Sequence, residues 1–312
     1  MKKLLIIIAI AAIATSVVAA ACCTPKTEQS STSKSIPMVK IPFRLQVDTL
    51  LVFSDKMGRE IKNSVILPEQ YFTDGSRFPV VYLLHGYGGC YKDWLRVKSL
   101  PTLASELGMI IVCPDGQDSW YFDSPIDSTM QFETYITTEL RQKVDSTYRT
   151  RTDRHGRAIT GLSMGGHGAL WLAFRHPDLY GACGSMSGGV DFTGWPRSWR
   201  LPDRLGPYEA NPELWRSHTV ISLVPTLKPG QLQIIIDDGD ADFFYDVNMA
   251  LHESLVAHGI AHKFDILPGA HSWDYWTRSV VFHLKFFNKC FKGEQPELDY
   301  HILPKVSKKE AA

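Results

Sequence analysis

The stretch GLSMGGHG, residues 161 to 168, sets four glycines around a single serine. An apolar run, RAIT, leads into it, and a helical pattern, ALWLAF, follows. Glycine inside a regular element costs about 0.5–1 kcal/mol relative to alanine. Four within eight residues therefore mark a backbone that must turn sharply or pass very close to its neighbours. A strand that ends at Leu162 and turns through Ser163 straight into a helix would lift the hydroxyl above the end of a sheet. It would also place that hydroxyl at the positive end of the helix dipole, where developing negative charge is favoured.

The rest of the chain supplies such a sheet. Strand patterns fall at 43–54, 63–68, 78–86, 109–115, 157–163, 181–188, 232–238 and 263–269, several of them continuous β-branched runs of the kind buried on both faces. Helical patterns lie between them. Ile136, Leu140 and Val144 recur every four residues, the segment 247–259 ends on a helix-stopping Gly259, and Val280, Leu284 and Phe287 mark a last helix. Alternation of this sort predicts an α/β fold, a mostly parallel central sheet with helices on both faces. The first two strands are close enough to pair antiparallel at one edge. Residues 189–230, rich in Pro, Gly and Trp, break the alternation and read as a small cap over one end of the sheet.

A serine hydroxyl is a weak nucleophile and needs a base, which in turn needs an orienting acid. GLSMG has the GxSxG form of the nucleophile elbow of α/β-hydrolases, where the order along the chain is serine, acid, histidine. Of the histidines after Ser163, His271 in LPGAHSWDYW follows a strand and a Pro-Gly turn, which puts it on a loop at the carboxyl end of the sheet. His167 lies on the side of the helix that starts at the serine and reads as structural, as does His85. The acid comes from IIIDDGDADFF, where Asp237, Asp238, Asp240 and Asp242 are all candidates that spacing does not separate. Charge building on a carbonyl oxygen needs two donors. HGYGG after the third strand assigns one to the backbone N–H of Tyr87, and the elbow assigns the other to that of Met164.

These motifs, FPVVYLLHGYGG, GLSMGGHGALWLAF, DGDADFF and PGAHSWDYW, resemble the esterase D family, which includes feruloyl and acetyl-xylan esterases, S-formylglutathione hydrolases, tributyrin esterases and mycolyltransferases. The resemblance spans about residues 40–292. It implies an α/β-hydrolase fold and a serine esterase mechanism without cofactor or metal. It also implies Asp242, three residues after Gly239, as the acid and His271 as the base, with Trp273 and Trp276 on the family's tryptophans. An aromatic-rich cap and the segment DSWYFDSP suggest stacking on a sugar or phenolic ring, with Trp120, Trp195 and Trp273 as the candidate substrate contacts. The expected substrates are carbohydrate-linked acetyl or feruloyl esters, small or oligosaccharide. The alternatives are a broad short-chain acyl esterase, an acyltransferase on the same triad, or a carbohydrate-binding lipoprotein with an inactive site.

Thirty-three basic residues balance thirty-three acidic ones, which gives no electrostatic case for nucleic acid. At the N-terminus Lys2 and Lys3 precede an apolar run from Leu4 to Val18 and then small residues before Cys22, the layout of an export signal, here of lipoprotein type. The expected organisation is a signal at 1–22, a polar Ser/Thr-rich tether at 23–39, a catalytic domain at 40–292 and a tail at 293–312. Cys22 would carry the lipid, and the protein would be periplasmic or anchored in the outer membrane, with plain secretion as the alternative. Cys90, Cys113, Cys183 and Cys290 fit no metal-binding spacing and suggest no particular disulfide.

Overall fold

A computed structural model describes residues 46–306; the expected signal and tether, and Cys22, lie outside the described residues. Nine strands form one sheet in the order β1-β2-β4-β3-β5-β6-β7-β8-β9. They are β1 (Val47–Ser54), β2 (Arg59–Ile66), β3 (Val80–Leu84), β4 (Ile110–Pro114), β5 (Arg157–Gly161), β6 (Ala182–Met186), β7 (Gln233–Gly239), β8 (Lys263–Leu267) and β9 (Tyr300–Ile302). β1 and β2 pair antiparallel, β2 runs antiparallel to β4, and from β4 to β9 every pairing is parallel. The expected antiparallel edge is therefore present.

β3 shows why the central strands read as unbroken apolar runs. Val80, Tyr82 and Leu84 face one core, while Val81 and Leu83 face the other, and all are fully buried. Helices cover both faces: α1 (Leu100–Leu107) and α8 (Trp273–Phe291) on one, α4 (Met164–Arg175) and α7 (Tyr245–Ala257) on the other. α2 (Phe132–Thr134) and α3 (Arg141–Thr147) are joined by a π-helical stretch, Tyr135–Leu140, and pack with α4. Gly259 does stop α7, with φ +68° just beyond its end.

Two boundaries differ from the sequence reading. β2 begins earlier, at Arg59: the exposed Glu60 and Lys62 flank a buried Ile61, a half-polar pattern without a long apolar run. The segment after residue 292, read as a tail, contributes β9, which extends the sheet beyond β8. Its three residues are all exposed, so no hydrophobic pattern marks it.

The cap between β6 and β7 carries α5 (Leu201–Leu205) and α6 (Pro212–Ser217). It docks through Phe192, Leu201, Leu205, Trp215 and Val224, all buried. The buried Arg204 pairs with Asp127 at 2.9 Å.

Glu133 fixes the far end of α4. It accepts hydrogen bonds from Trp171 Nε1 and Arg175 Nε at 2.9 Å and from His176 Nε2 at 2.7 Å. Burial alone would raise its pKa, but bonds from His176, Arg175 and Trp171 outweigh burial and hold the carboxyl at about 2, from an ordinary 4.5. A depressed carboxylate contributes stability above its unfolded value and loses it as pH falls. Stability should drop by about 2–3 kcal/mol between pH 4.5 and 2 through this group. In Glu133→Gln protein, urea melts across that range should show a correspondingly shallower acid limb.

Candidate active site

The parallel strands bring their carboxyl ends to one edge of the sheet, and the loops that leave them build the site, as open α/β sheets commonly do. Ser163 follows β5 and caps the N-terminus of α4. Its φ of 54° and ψ of −118° are strained for a residue with a side chain. The conformation is held from several sides: Ser163 N donates to Met186 O at 2.9 Å, while Ser163 O accepts from His167 N and Gly189 N.

The four surrounding glycines have negative φ. They are needed for space instead: a Cβ on Gly161, Gly165, Gly166 or Gly168 would lie within 2.6 Å of a neighbouring atom. The strain sits on the serine and the close approach on its neighbours. Ser163→Gly should therefore be more stable than Ser163→Ala by about 1 kcal/mol in equilibrium unfolding, since only glycine relaxes at this φ.

His271 lies in the loop between β8 and α8. Its Nε2 is 2.9 Å from Ser163 Oγ, and its Nδ1 is 2.8 Å from Asp242 Oδ2 and 3.1 Å from Oδ1. An ionised carboxylate only accepts, so Nδ1 carries the ring hydrogen and Nε2 is left to accept from the serine hydroxyl. Asp242 is fully buried and also accepts from Phe244 N at 2.9 Å. The loops after β7 and β8 are tied together by Asp240 N to Leu267 O and Ala241 N to Gly269 O, both 2.9 Å, and by Gly269 N to Asp240 Oδ1 at 3.0 Å. Those bonds keep acid and imidazole in register. The ring is clamped by Phe243, 4.3 Å between centroids, and edge-on by Trp276 at 4.9 Å.

The four aspartates separate clearly. Asp242 meets His271. Asp237 accepts from Tyr275 Oη, Ser279 Oγ and His283 Nε2 and ties β7 to α8. Asp240 joins the two loops, and Asp238 lies buried beneath Asp242.

Of the two amides expected as donors to an oxyanion, that of Met164 opens α4, where a helix has no internal acceptor for it. That of Tyr87 follows Gly86, whose Cα packs so tightly that a Cβ would come 2.6 Å from Leu162 and 3.4 Å from Ser163 Cβ. Among the described residues neither amide donates to another protein group. His85 braces this turn. Its Nε2 accepts from Gly116 N at 2.8 Å, its Nδ1 donates to Gly86 O at 2.7 Å, and burial keeps the ring neutral. His167 is structural too: its nitrogens face Trp120 O and His218 O, joining the cap to α4, and burial lowers its pKa to about 4.

The serine opens into a pocket of about 400 Å³ walled by Tyr87, Asp93, Trp199, Phe243, Trp273 and Trp276. Of the expected aromatic contacts, Trp273 is there, packed on Trp94 and beneath Arg96, whose guanidinium lies 4.1 Å from its ring. Trp120 is not: it is 1% exposed, and its Nε1 bonds Trp199 O, so it supports a pocket wall instead. Trp195 also falls outside the lining, packed against Phe244 and Trp199. Trp199 and Phe243 line the pocket where Trp120 and Trp195 were expected, stacked on each other at 6.1 Å. Phe243 was signalled only by its position next to the acid in DADFF.

A mostly parallel sheet with a strained serine between β5 and α4, and with a histidine and an acid on later strand-end loops, is the α/β-hydrolase fold in its serine hydrolase form. The family model described as "Putative esterase" matches residues 54–287. The chain belongs to that family and is a carboxylic ester hydrolase of the serine esterase type. It is similar to an acetyl esterase of Caldicellulosiruptor saccharolyticus, 26% identical over 250 residues, covering 73% of this chain and 94% of that protein. It is 24% identical over 269 residues to the S-formylglutathione hydrolase of Rattus norvegicus, covering 73% and 90%. Among solved structures a ferulic acid esterase superposes with a TM-score of 0.68 at 27% identity, over 78% of this chain and 98% of that one.

Proposed function

We propose that this protein is an exported serine esterase that removes acetyl or feruloyl groups from carbohydrate through a Ser163–His271–Asp242 triad. The observation that carries the reading is the hydrogen-bonded run from Asp242 through His271 to Ser163, opening into an aromatic-walled pocket. Ser163 Oγ attacks the ester carbonyl and gives its proton to His271 Nε2. The amides of Tyr87 and Met164 receive the oxyanion. Collapse breaks the bond to the alcohol, which leaves with the proton from His271, and the acyl group stays on Ser163. Water, deprotonated by the same imidazole, then releases the acid. Asp242 holds the ring and stabilises its charged form.

The substrate class rests on two supports. Trp199, Phe243 and Trp273 offer flat apolar faces to a phenolic acyl group or a sugar ring. Relatives include an acetyl esterase and a ferulic acid esterase. The N-terminal signal and Cys22 suit an enzyme that meets polymer-derived esters outside the cytoplasm, on a lipid anchor.

Hydrolysis of p-nitrophenyl acetate, methyl ferulate and acetylated xylan, each against matched Ser163→Ala protein, tests the reading. Serine-dependent release from ferulate or xylan supports it. Activity on p-nitrophenyl acetate alone leaves a short-chain acyl esterase. Acyl transfer to an added sugar in preference to water makes the protein a transferase. No serine-dependent turnover at all refutes the enzyme.

A further inference from the structure

Directly behind the proposed triad acid lies a second carboxyl that the mechanism above does not use. Asp238, at the end of β7, is wholly buried, and its carboxyl is within hydrogen-bonding reach of that of Asp242. Its other partners are neutral: Gly239 N at 2.8 Å, Asn248 Nδ2, from α7, at 2.9 Å, and the hydroxyl of Ser187. Around the pair stand Asp237, already engaged by Tyr275, Ser279 and His283, and the phenol of Tyr275 from α8. Among the described residues no lysine or arginine pairs with Asp238 or Asp242, and the His271 ring faces Asp242.

Two touching buried carboxyls cannot both ionise without a large Coulombic cost. Only Asp242 faces a ring that becomes cationic in the reaction: it accepts from the Nδ1–H of His271 as well as from the N–H of Phe244. Taking the triad reading as its basis, we propose that Asp238 is a positioning residue: a neutral carboxylic acid that donates its O–H to the Asp242 carboxylate and fixes it against His271. Burial, and next the charge of Asp242, push the Asp238 carboxyl well above the usual carboxylate range. The arrangement has two consequences. The carboxylate gains a donor that stops it from turning away from the ring. The buried pair behind the imidazole also carries one negative charge instead of two.

The experiment pairs spectroscopy with kinetics on the full protein. Infrared difference spectra at pH 7 should show a protonated-carboxyl C=O band that shifts in deuterium oxide and is missing from Asp238→Asn protein. With p-nitrophenyl acetate, Asp238→Asn keeps a neutral donor of the same shape. It should retain kcat within about threefold and leave the rising limb of the kcat/KM–pH profile in place. Asp238→Ala, which removes the donor, should lower kcat about tenfold or more at nearly unchanged KM and move the rising limb to higher pH. The proposal is overturned if the wild-type band is missing. It is equally overturned if Asp238→Asn moves the limb down by about one unit, as removal of a full neighbouring charge would, or if folded Asp238→Ala protein keeps the wild-type profile. Should the alanine protein not fold, the band and the asparagine profile decide alone. Turnover surviving in Ser163→Ala protein would sink the triad reading while leaving the Asp238 band untouched, so the two failures are distinguishable.

Discussion

Asp242→Asn should lower kcat by about 10³–10⁴ while KM changes little. Asp242 accepts the Nδ1 hydrogen of His271 through both carboxylate oxygens. An asparagine amide turned toward the ring would present N–H to Nδ1 and force the hydrogen onto Nε2, the atom that must accept from Ser163. Turned the other way, it would keep the tautomer but lose the charge that stabilises the imidazolium. Either way the loss falls on the chemical step, because the carboxylate is buried and touches no substrate. The companion variant is Asp240→Asn. Asp240 meets Gly269 N through one oxygen, and an asparagine supplies the same acceptor, so activity should stay within about threefold. Steady-state kinetics on p-nitrophenyl acetate check both. The reverse ranking would move the acid two residues along the loop.

The second large effect is on stability. Gly165→Ala should cost about 2–4 kcal/mol in urea unfolding and reduce activity with it. The added Cβ would lie 2.6 Å from the carbonyl oxygens of both Leu84 and His85. These are backbone atoms of the β3 end and cannot swing aside as a side chain would. α4 must move away from the sheet, taking Ser163 away from the turn at Gly86. Gly75→Ala is the control: nothing lies within 4 Å of its Cβ position, and its φ is not positive, so its effect should stay within about 0.5 kcal/mol. Equal effects at the two positions would mean that the glycines at the elbow are not packing constraints.

Much of this site is legible in the sequence because its signals are local. The elbow is a strand, a serine and a helix in unbroken succession. Buried strands such as β3 and β4 announce themselves as continuous apolar runs, and strand order then sends Ser163, the acidic cluster and His271 to one edge. What is not legible depends on contacts between distant segments. Trp120 and Trp199 are both tryptophans in polar, turn-rich surroundings, yet folding buries the first beneath the second, 79 residues on. Choosing Asp242 among four aspartates requires the bonds between the β7 and β8 loops; from residues alone the choice came through family likeness. Asp238 looks like one more acidic turn residue until its burial against Asp242 is seen. β9 has too few residues and too little burial to leave any pattern.

Ser163 activated by His271 is the centre of the proposed mechanism, and intact-protein mass spectrometry after treatment with a fluorophosphonate measures that activation directly. Wild-type protein should gain the mass of one adduct, mapped to the peptide containing Ser163; Ser163→Ala protein should gain none, and His271→Ala protein should label slower by about 10³-fold or more. An adduct that forms unchanged on Ser163→Ala protein, or at an undiminished rate without His271, would contradict it.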